Sequence, residues 1–249
     1  MDYWARRKEG NPQFWSCLGG RPDLHGRRVL DLGCGHGDLC IDIAQAGADH
    51  VVGLDLNPQA IDFAREDLRL HYPELLDRVE FHCQPIETFP EAGFDYVVSR
   101  AAFEHIMNLE VLMAAVRDHL RTGGRLLTGF DPLWPSPYGG HRIHRYVPIP
   151  IMPWGHLLFP ESLVLKRANQ GRLVPLNSLY DFGLNMLSIG DYRRIFQNSG
   201  LDTVSFRTNY PASSWKGKLM SLLARVWFLE KYMTYSVYAI LEKKAPDIC

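Results

Sequence analysis

Apolar runs and helical patterns alternate along the first half of the chain. Arg28–Leu32 (RVLDL) ends at glycines and predicts a buried strand. His50–Leu54 (HVVGL), Val79–Cys83, Phe94–Ser99 (FDYVVS) and Arg125–Phe130 (RLLTGF) predict four more. Between them, Asp38–Gln45, Pro58–Leu70 and Leu109–Leu120 carry helical spacing, and Pro58 suits a first helical turn. Strands and helices alternating at this length form β-α-β units. Such units cross over right-handedly and build a parallel sheet with helices on both faces.

The rhythm breaks from Asp131 to about Ser188, where prolines, glycines, aromatics and histidines crowd together. A long irregular segment following a strand predicts a substrate-binding lid over residues 131–188, at the carboxyl edge of the sheet where ligands bind. Regularity returns with a helix over Ile189–Ser199 and a strand over Asp202–Thr208. A helical insertion within 211–232 (Trp215–Tyr232) and a period-two strand, Thr234–Glu242, complete the pattern. Residues 1–24 are expected to cap the domain as a helix, and 249 residues suit one domain overall.

Composition narrows the function classes. Lys plus Arg is 27 and Asp plus Glu is 28, a formal net charge of −1, which argues against a nucleic-acid binder. No apolar run approaches the ~18 residues of a membrane span. MDYWARRKEG lacks the apolar stretch of a secretory signal. The five cysteines, Cys17, Cys34, Cys40, Cys83 and Cys249, form no C-x-x-C, so neither a disulfide framework nor a cysteine zinc site is expected. These features together predict a cytoplasmic protein.

Asp31-Leu32-Gly33-Cys34-Gly35-His36-Gly37-Asp38 lies between the first strand and the first sheet-packed helix, and Asp55 ends the second strand. Glycines let a backbone turn sharply and approach a ligand, and an acid ending the second strand can hold both hydroxyls of a ribose. The unit predicts an adenosine ligand. A dinucleotide fingerprint reads G-x-G-x-x-G and faces a pyrophosphate. Here the spacing is G-x-G-x-G, with Asp31 two residues ahead. A carboxylate there repels a diphosphate and attracts an ammonium. The charge pattern therefore fits S-adenosylmethionine, which has an amine and a ribose but no phosphate.

VLDLGCGHGDL and VVGLDLNPQAIDFAR, followed by VEFHCQPIETFPEAGFDYVVSRAAFEHI and LRTGGRLL, resemble the class I S-adenosylmethionine-dependent methyltransferases over residues ~25–130. The resemblance implies a Rossmann-like, doubly wound α/β sheet of seven strands, mostly parallel with an antiparallel last strand. It also implies site roles. Asp31, Gly33, Cys34, Gly35 and Gly37 would cradle the aminoacyl part, and Asp55 would hold the ribose. Leu56, Ile86 and Glu87 would line the adenine pocket, while Ser99 and Arg100 would face the methionine moiety. Pro85 stands where relatives often carry Asp, which leaves an acidic contact to adenine to Glu87 or to none.

Methyl transfer from a sulfonium is an in-line displacement, so the protein mainly aligns the nucleophile and excludes water. A hydroxyl acceptor needs a base, and histidine is the usual one. His105, in the pair Glu104-His105, and His141 and His144 in the lid are the candidates, with His156 beyond them. No resident metal is expected. Asp131, His141, His144 and His156 form the alternative metal-binding set. Trp134, Tyr138, Tyr146 and Trp154 predict an apolar or sugar-stacking wall. Five basic residues against three acidic ones in 131–181 suit an anionic or glycosyl small-molecule acceptor. The reading is O-methylation of a sugar or secondary-metabolite hydroxyl. N- or C-methylation, a nicotinamide-dependent oxidoreductase and a non-catalytic binding module are the alternatives. WKGKLMSLLARVWFLEKYM is either a helix packed on the domain or an amphipathic helix that meets a lipid surface.

Overall fold

The computed structural model describes residues 3–150, 152–209 and 215–245. Helix α1 (Tyr3–Leu18) precedes the alternating units β1 (Arg28–Leu32), α2 (Asp38–Gln45), β2 (His50–Asp55), α3 (Pro58–His71), β3 (Val79–Cys83), β4 (Phe94–Arg100), α4 (Leu109–His119) and β5 (Leu120–Phe130). After the segment 131–188, which holds α5 (Gly155–Leu158) and α6 (Glu161–Ala168), come α7 (Ile189–Asn198) and β6 (Asp202–Thr208). The described chain closes with α8 (Trp215–Leu223), α9 (Glu230–Met233) and β7 (Val237–Glu242). Seven strands form one sheet in the order β3-β2-β1-β4-β5-β7-β6. β1 to β5 run parallel, and β7 is antiparallel to both β5 and β6. This is the expected α/β doubly wound sheet.

Strand alternation explains how both faces are filled. Leu30, Leu54, Val97 and Leu126 point to one face and pack with Phe103, Val116, Tyr192 and Phe196. Val29, Val51, Val98 and Leu127 point to the other, against Phe14, Cys40, Ile43 and Ile61. Burying each large apolar side chain contributes about 1.5–3 kcal/mol, which is why the strands read as continuous apolar runs. Local signals set helix starts. Asn57 accepts the N–H groups of Gln59 at 3.0 Å and Ala60 at 3.3 Å ahead of Pro58. Ser188 and Asp191 form a reciprocal capping box on α7.

The tail departs from the sequence-based expectation. The single helix expected over Trp215–Tyr232 is two, because Ala224–Leu229 forms turns and Glu230 is drawn onto Arg193 by bonds of 2.8 and 2.6 Å. β7 starts at Val237 rather than Thr234, since the N–H of Tyr235 is taken by the Asn209 side chain at 2.6 Å. β5 begins at Leu120 rather than Arg125. Its pairing with β4 shifts register past Phe94, and Thr122–Gly124 projects as a bulge. Residues 131–188 carry a small core of their own, with Ile143, Val147, Val164, Leu179 and Leu184 buried among Trp134, Tyr146 and Phe182. No helix among the described residues is long and apolar enough to cross a membrane.

Candidate active site

The glycine turn sits at the carboxyl ends of β1 and β2, and its geometry requires glycine. Gly33 has φ +74°, and a Cβ on it would lie 2.7 Å from the Ala102 methyl group. Gly37 has φ +89°, and a Cβ would meet the Phe81 ring at 2.5 Å. Four of the turn's N–H groups are spent internally. Gly33 and Cys34 donate to the Leu54 carbonyl at 2.8 and 3.0 Å, and Gly37 donates to Cys34 at 3.0 Å. Gly35 donates to Asp55 Oδ2 at 2.8 Å, while Asn57 donates to Oδ1 at 2.8 Å. Asp55 is thus fixed at the end of β2, half-buried, and each oxygen keeps a further lone pair for a ligand.

Asp31 lies behind this turn rather than in its mouth. It is 1% exposed and accepts the Cys40 thiol at 3.2 Å. Burial pushes its carboxyl up to about 7. Cys34 is buried as well. Ser99 is fully buried and donates to the Leu32 carbonyl at 2.8 Å, tying β4 to β1. Ile86 is sealed in the core, whereas Leu56 is 70% exposed and Glu87 is exposed. Arg100 reaches over the turn to Asp38 at 2.6 Å and also donates to Asn11 of α1. Beside it lies a cavity of about 140 Å³ lined by Arg100, Ala101, Asp131, Gln13 and Tyr238. A larger cavity of about 540 Å³ lies between α1, α2 and α3; His36 and Asp38 of the glycine turn line it with Asn11, and Asp55 does not.

The histidines separate into two pairs. His105 and His141 have ring centroids 5.4 Å apart, and His144 and His156 lie 5.1 Å apart. His105 Nδ1 donates to the Gly183 carbonyl at 2.6 Å, so in the neutral ring the lone pair resides on Nε2. His141 donates to the Pro132 carbonyl at 3.3 Å, and His156 to the Trp134 carbonyl at 2.6 Å. Burial lowers His141 and His144 and takes His156 down to about 4. Both ring nitrogens of His144 are buried without a hydrogen-bond partner. Beside His105, Glu104 is 4% exposed, and burial raises its carboxyl to about 8.

The aromatic and basic residues of 131–188 are distributed differently from the expectation. Trp134 and Tyr146 fill the segment's own core, and Trp154 faces an outer groove. Arg142 and Arg145 are exposed, while Arg167 and Arg172 donate to the Val147 and Ala168 carbonyls.

Residues 24–130 match the family model described as a methyltransferase domain. The chain is 30% identical over 193 residues to a ubiquinone biosynthesis O-methyltransferase of Bordetella avium, covering 74% of each chain. It belongs to the S-adenosylmethionine-dependent methyltransferases. A ubiquinone biosynthesis O-methyltransferase of Aromatoleum aromaticum is 37% identical over 121 residues, 47% of this chain and 50% of that one. The chain spans about half the length of several curated relatives that it matches, 42% for an uncharacterized protein of Haemophilus influenzae. Among solved structures, an S-adenosylmethionine dependent methyltransferase from Mesorhizobium loti superposes with a TM-score of 0.60 over 94% of this chain and 99% of that one, at 15% identity. At that identity the likeness carries the fold alone.

In this methyltransferase-family chain, three residues at the site escaped the sequence reading. Asn11 lies in an N-terminal segment with no motif, and it meets Arg100 only because α1 packs against α2 and the strands β5, β7 and β6. Asn185 ends the inserted segment, and its side chain donates to the Phe103 and Ile106 carbonyls at 2.7 and 3.1 Å. Tyr192 holds the Asn185 carbonyl oxygen at 3.1 Å. No local pattern marks either contact.

Proposed function

We propose that this chain transfers the methyl group of S-adenosylmethionine to a hydroxyl of a small-molecule acceptor bound beneath residues 131–188. The observation that carries the reading is the commitment of the glycine-turn N–H groups. Gly33, Cys34, Gly35 and Gly37 all donate within the protein, so these four N–H groups are not offered to a diphosphate. What it presents instead is Asp55, poised for a diol. This favours an adenosine without phosphates over a nicotinamide dinucleotide. The cavity between α1, α2 and α3 reaches the turn at His36 and Asp38 but lacks Asp55 and Arg100, so we assign the ribose and methionine end of the cofactor to the edge beside Asp55.

The donor set fits the cofactor. Asp55 would bind the ribose, and the exposed Leu56 and Glu87 would border the adenine. Arg100 and Asp38 would meet the charged methionine end, with Asp31 holding the turn from behind through Cys40. When bound, the sulfonium supplies an already activated methyl group. The chain's own task is then to place the acceptor oxygen in line and exclude water. His105 would take the hydroxyl proton on Nε2, because Nδ1–H is anchored on Gly183. Asn185 and Gly183 tie that histidine turn to the end of the inserted segment, so the lid would set the base as it covers the acceptor. His141 would support His105, whereas His144 packs with His156. The outward basic residues favour a neutral hydroxyl acceptor over an anionic one.

Calorimetry with S-adenosylmethionine, followed by detection of S-adenosylhomocysteine over a panel of phenolic and sugar hydroxyl acceptors, tests the reading. Saturable binding and acceptor-dependent product support it. Absence of binding at millimolar concentration overturns it.

A further inference from the structure

We propose that the face formed by α8, the turn after it and α9 docks on an anionic lipid bilayer, with the helix lying in the interface plane. On α8, Leu219 and Leu222 share one helical face and are 46% and 59% exposed. The turn that follows presents Trp227, 86% exposed, and Phe228, 56% exposed, with their rings 5.7 Å apart. Just after them, Leu229, Tyr232 and Met233 line an apolar groove of about 710 Å³ with Leu157 and Leu158 of the inserted segment, both exposed. Apolar side chains from two distant parts of the chain therefore meet at this groove, next in sequence to the exposed Trp227 and Phe228, and contiguous apolar surface left in water marks an interaction site.

Charge selects the occupant. Lys218, Arg225 and Lys231 are exposed around the patch. The acid of this stretch, Glu230, is already bound by two bonds from Arg193. The surface is thus apolar at its centre and cationic at its rim, the pattern of an interfacial helix on anionic headgroups, with Trp at the boundary. A second copy packed on the same patch about a two-fold axis would bring these cations towards one another. With nine residues, α8 is too short to span a bilayer, so it lies on the surface. The groove reaches Trp134, three residues beyond Asp131. Docking would therefore turn the inserted segment toward the membrane. The proposal does not depend on the acceptor or on catalysis.

The test is co-sedimentation of the full chain with vesicles of phosphatidylcholine alone or mixed with phosphatidylglycerol, at low and high salt. Partitioning onto the anionic vesicles at low salt should exceed that onto phosphatidylcholine by about tenfold or more, and should fall as salt rises. W227S with F228S should abolish it, and K218E with R225E and K231E should remove the preference for anionic lipid. Thermal melting of each variant checks that the fold is retained. Equal partitioning on both vesicles, or none, overturns the proposal. So does a solution dimer that W227S with F228S dissolves, which would assign the face to a second copy.

Discussion

Gly35 donates its backbone N–H to Asp55 Oδ2 at 2.8 Å across twenty residues of sequence. The bond locks the glycine turn to the end of β2 and aims the carboxylate that would hold a ribose. Replacing Asp55 with Ala removes an acceptor for Gly35, for Asn57 and for the cofactor. Cofactor binding should weaken by about 1–3 kcal/mol, measured by calorimetry. Asp55→Asn, which keeps one acceptor oxygen, should fall between.

The turn tolerates no side chain at Gly37. A Cβ there would lie 2.5 Å from Phe81 Cζ, at φ +89°. Gly37→Ala should destabilise the fold by about 1–3 kcal/mol. For a chain of this size, Tm should drop by about 2–4 °C per kcal/mol in calorimetric melting. An unchanged Tm would show that the loop accommodates a methyl group.

Stability should depend on pH through two buried groups, Glu104 beside His105 and His156 within the inserted segment. Burial raises Glu104 from the ordinary 4.5 to about 8, so the folded state holds its proton more tightly than the unfolded state. Its contribution is complete below about 4.5 and is lost as pH rises through 8. Burial lowers His156 from 6.5 to about 4, and its contribution is complete above 6.5 and is lost as pH falls through 4. Each proton changes the slope by up to about 1.4 kcal/mol per pH unit. In urea titrations, Glu104→Gln should flatten the decline between pH 4.5 and about 8, the window set by those two values. His156→Gln should flatten the acid limb.

His105 should separate binding from turnover. With its Nδ1 on Gly183, its Nε2 would be the accepting atom. His105→Ala should leave cofactor affinity unchanged and reduce turnover by about 10²–10⁴, read as S-adenosylhomocysteine release with a hydroxyl acceptor. Retention of full turnover would exclude His105 as the base.

The sheet and the cofactor unit were legible in the chain because their signals are local. Strand period, the Asn57-Pro58 helix start and the closely spaced glycines each act within a few residues. The strand-ending acid at Asp55 was legible for the same reason. The tail was less so, since Trp215–Tyr232 has helical composition throughout and is broken by the docking of Glu230 on Arg193.

Sequence by itself determined the α/β alternation, the glycine turn and the residue types available for acid–base work, because these depend on neighbours along the backbone. Tertiary structure decided that Asp31 faces inward onto Cys40, that Arg100 is met by Asn11, and that Gly183, 78 residues away, orients His105. Burial and hydrogen-bond partners arise from contacts between distant segments. Charge and reactivity at the site follow from that packing, and no local pattern encodes it.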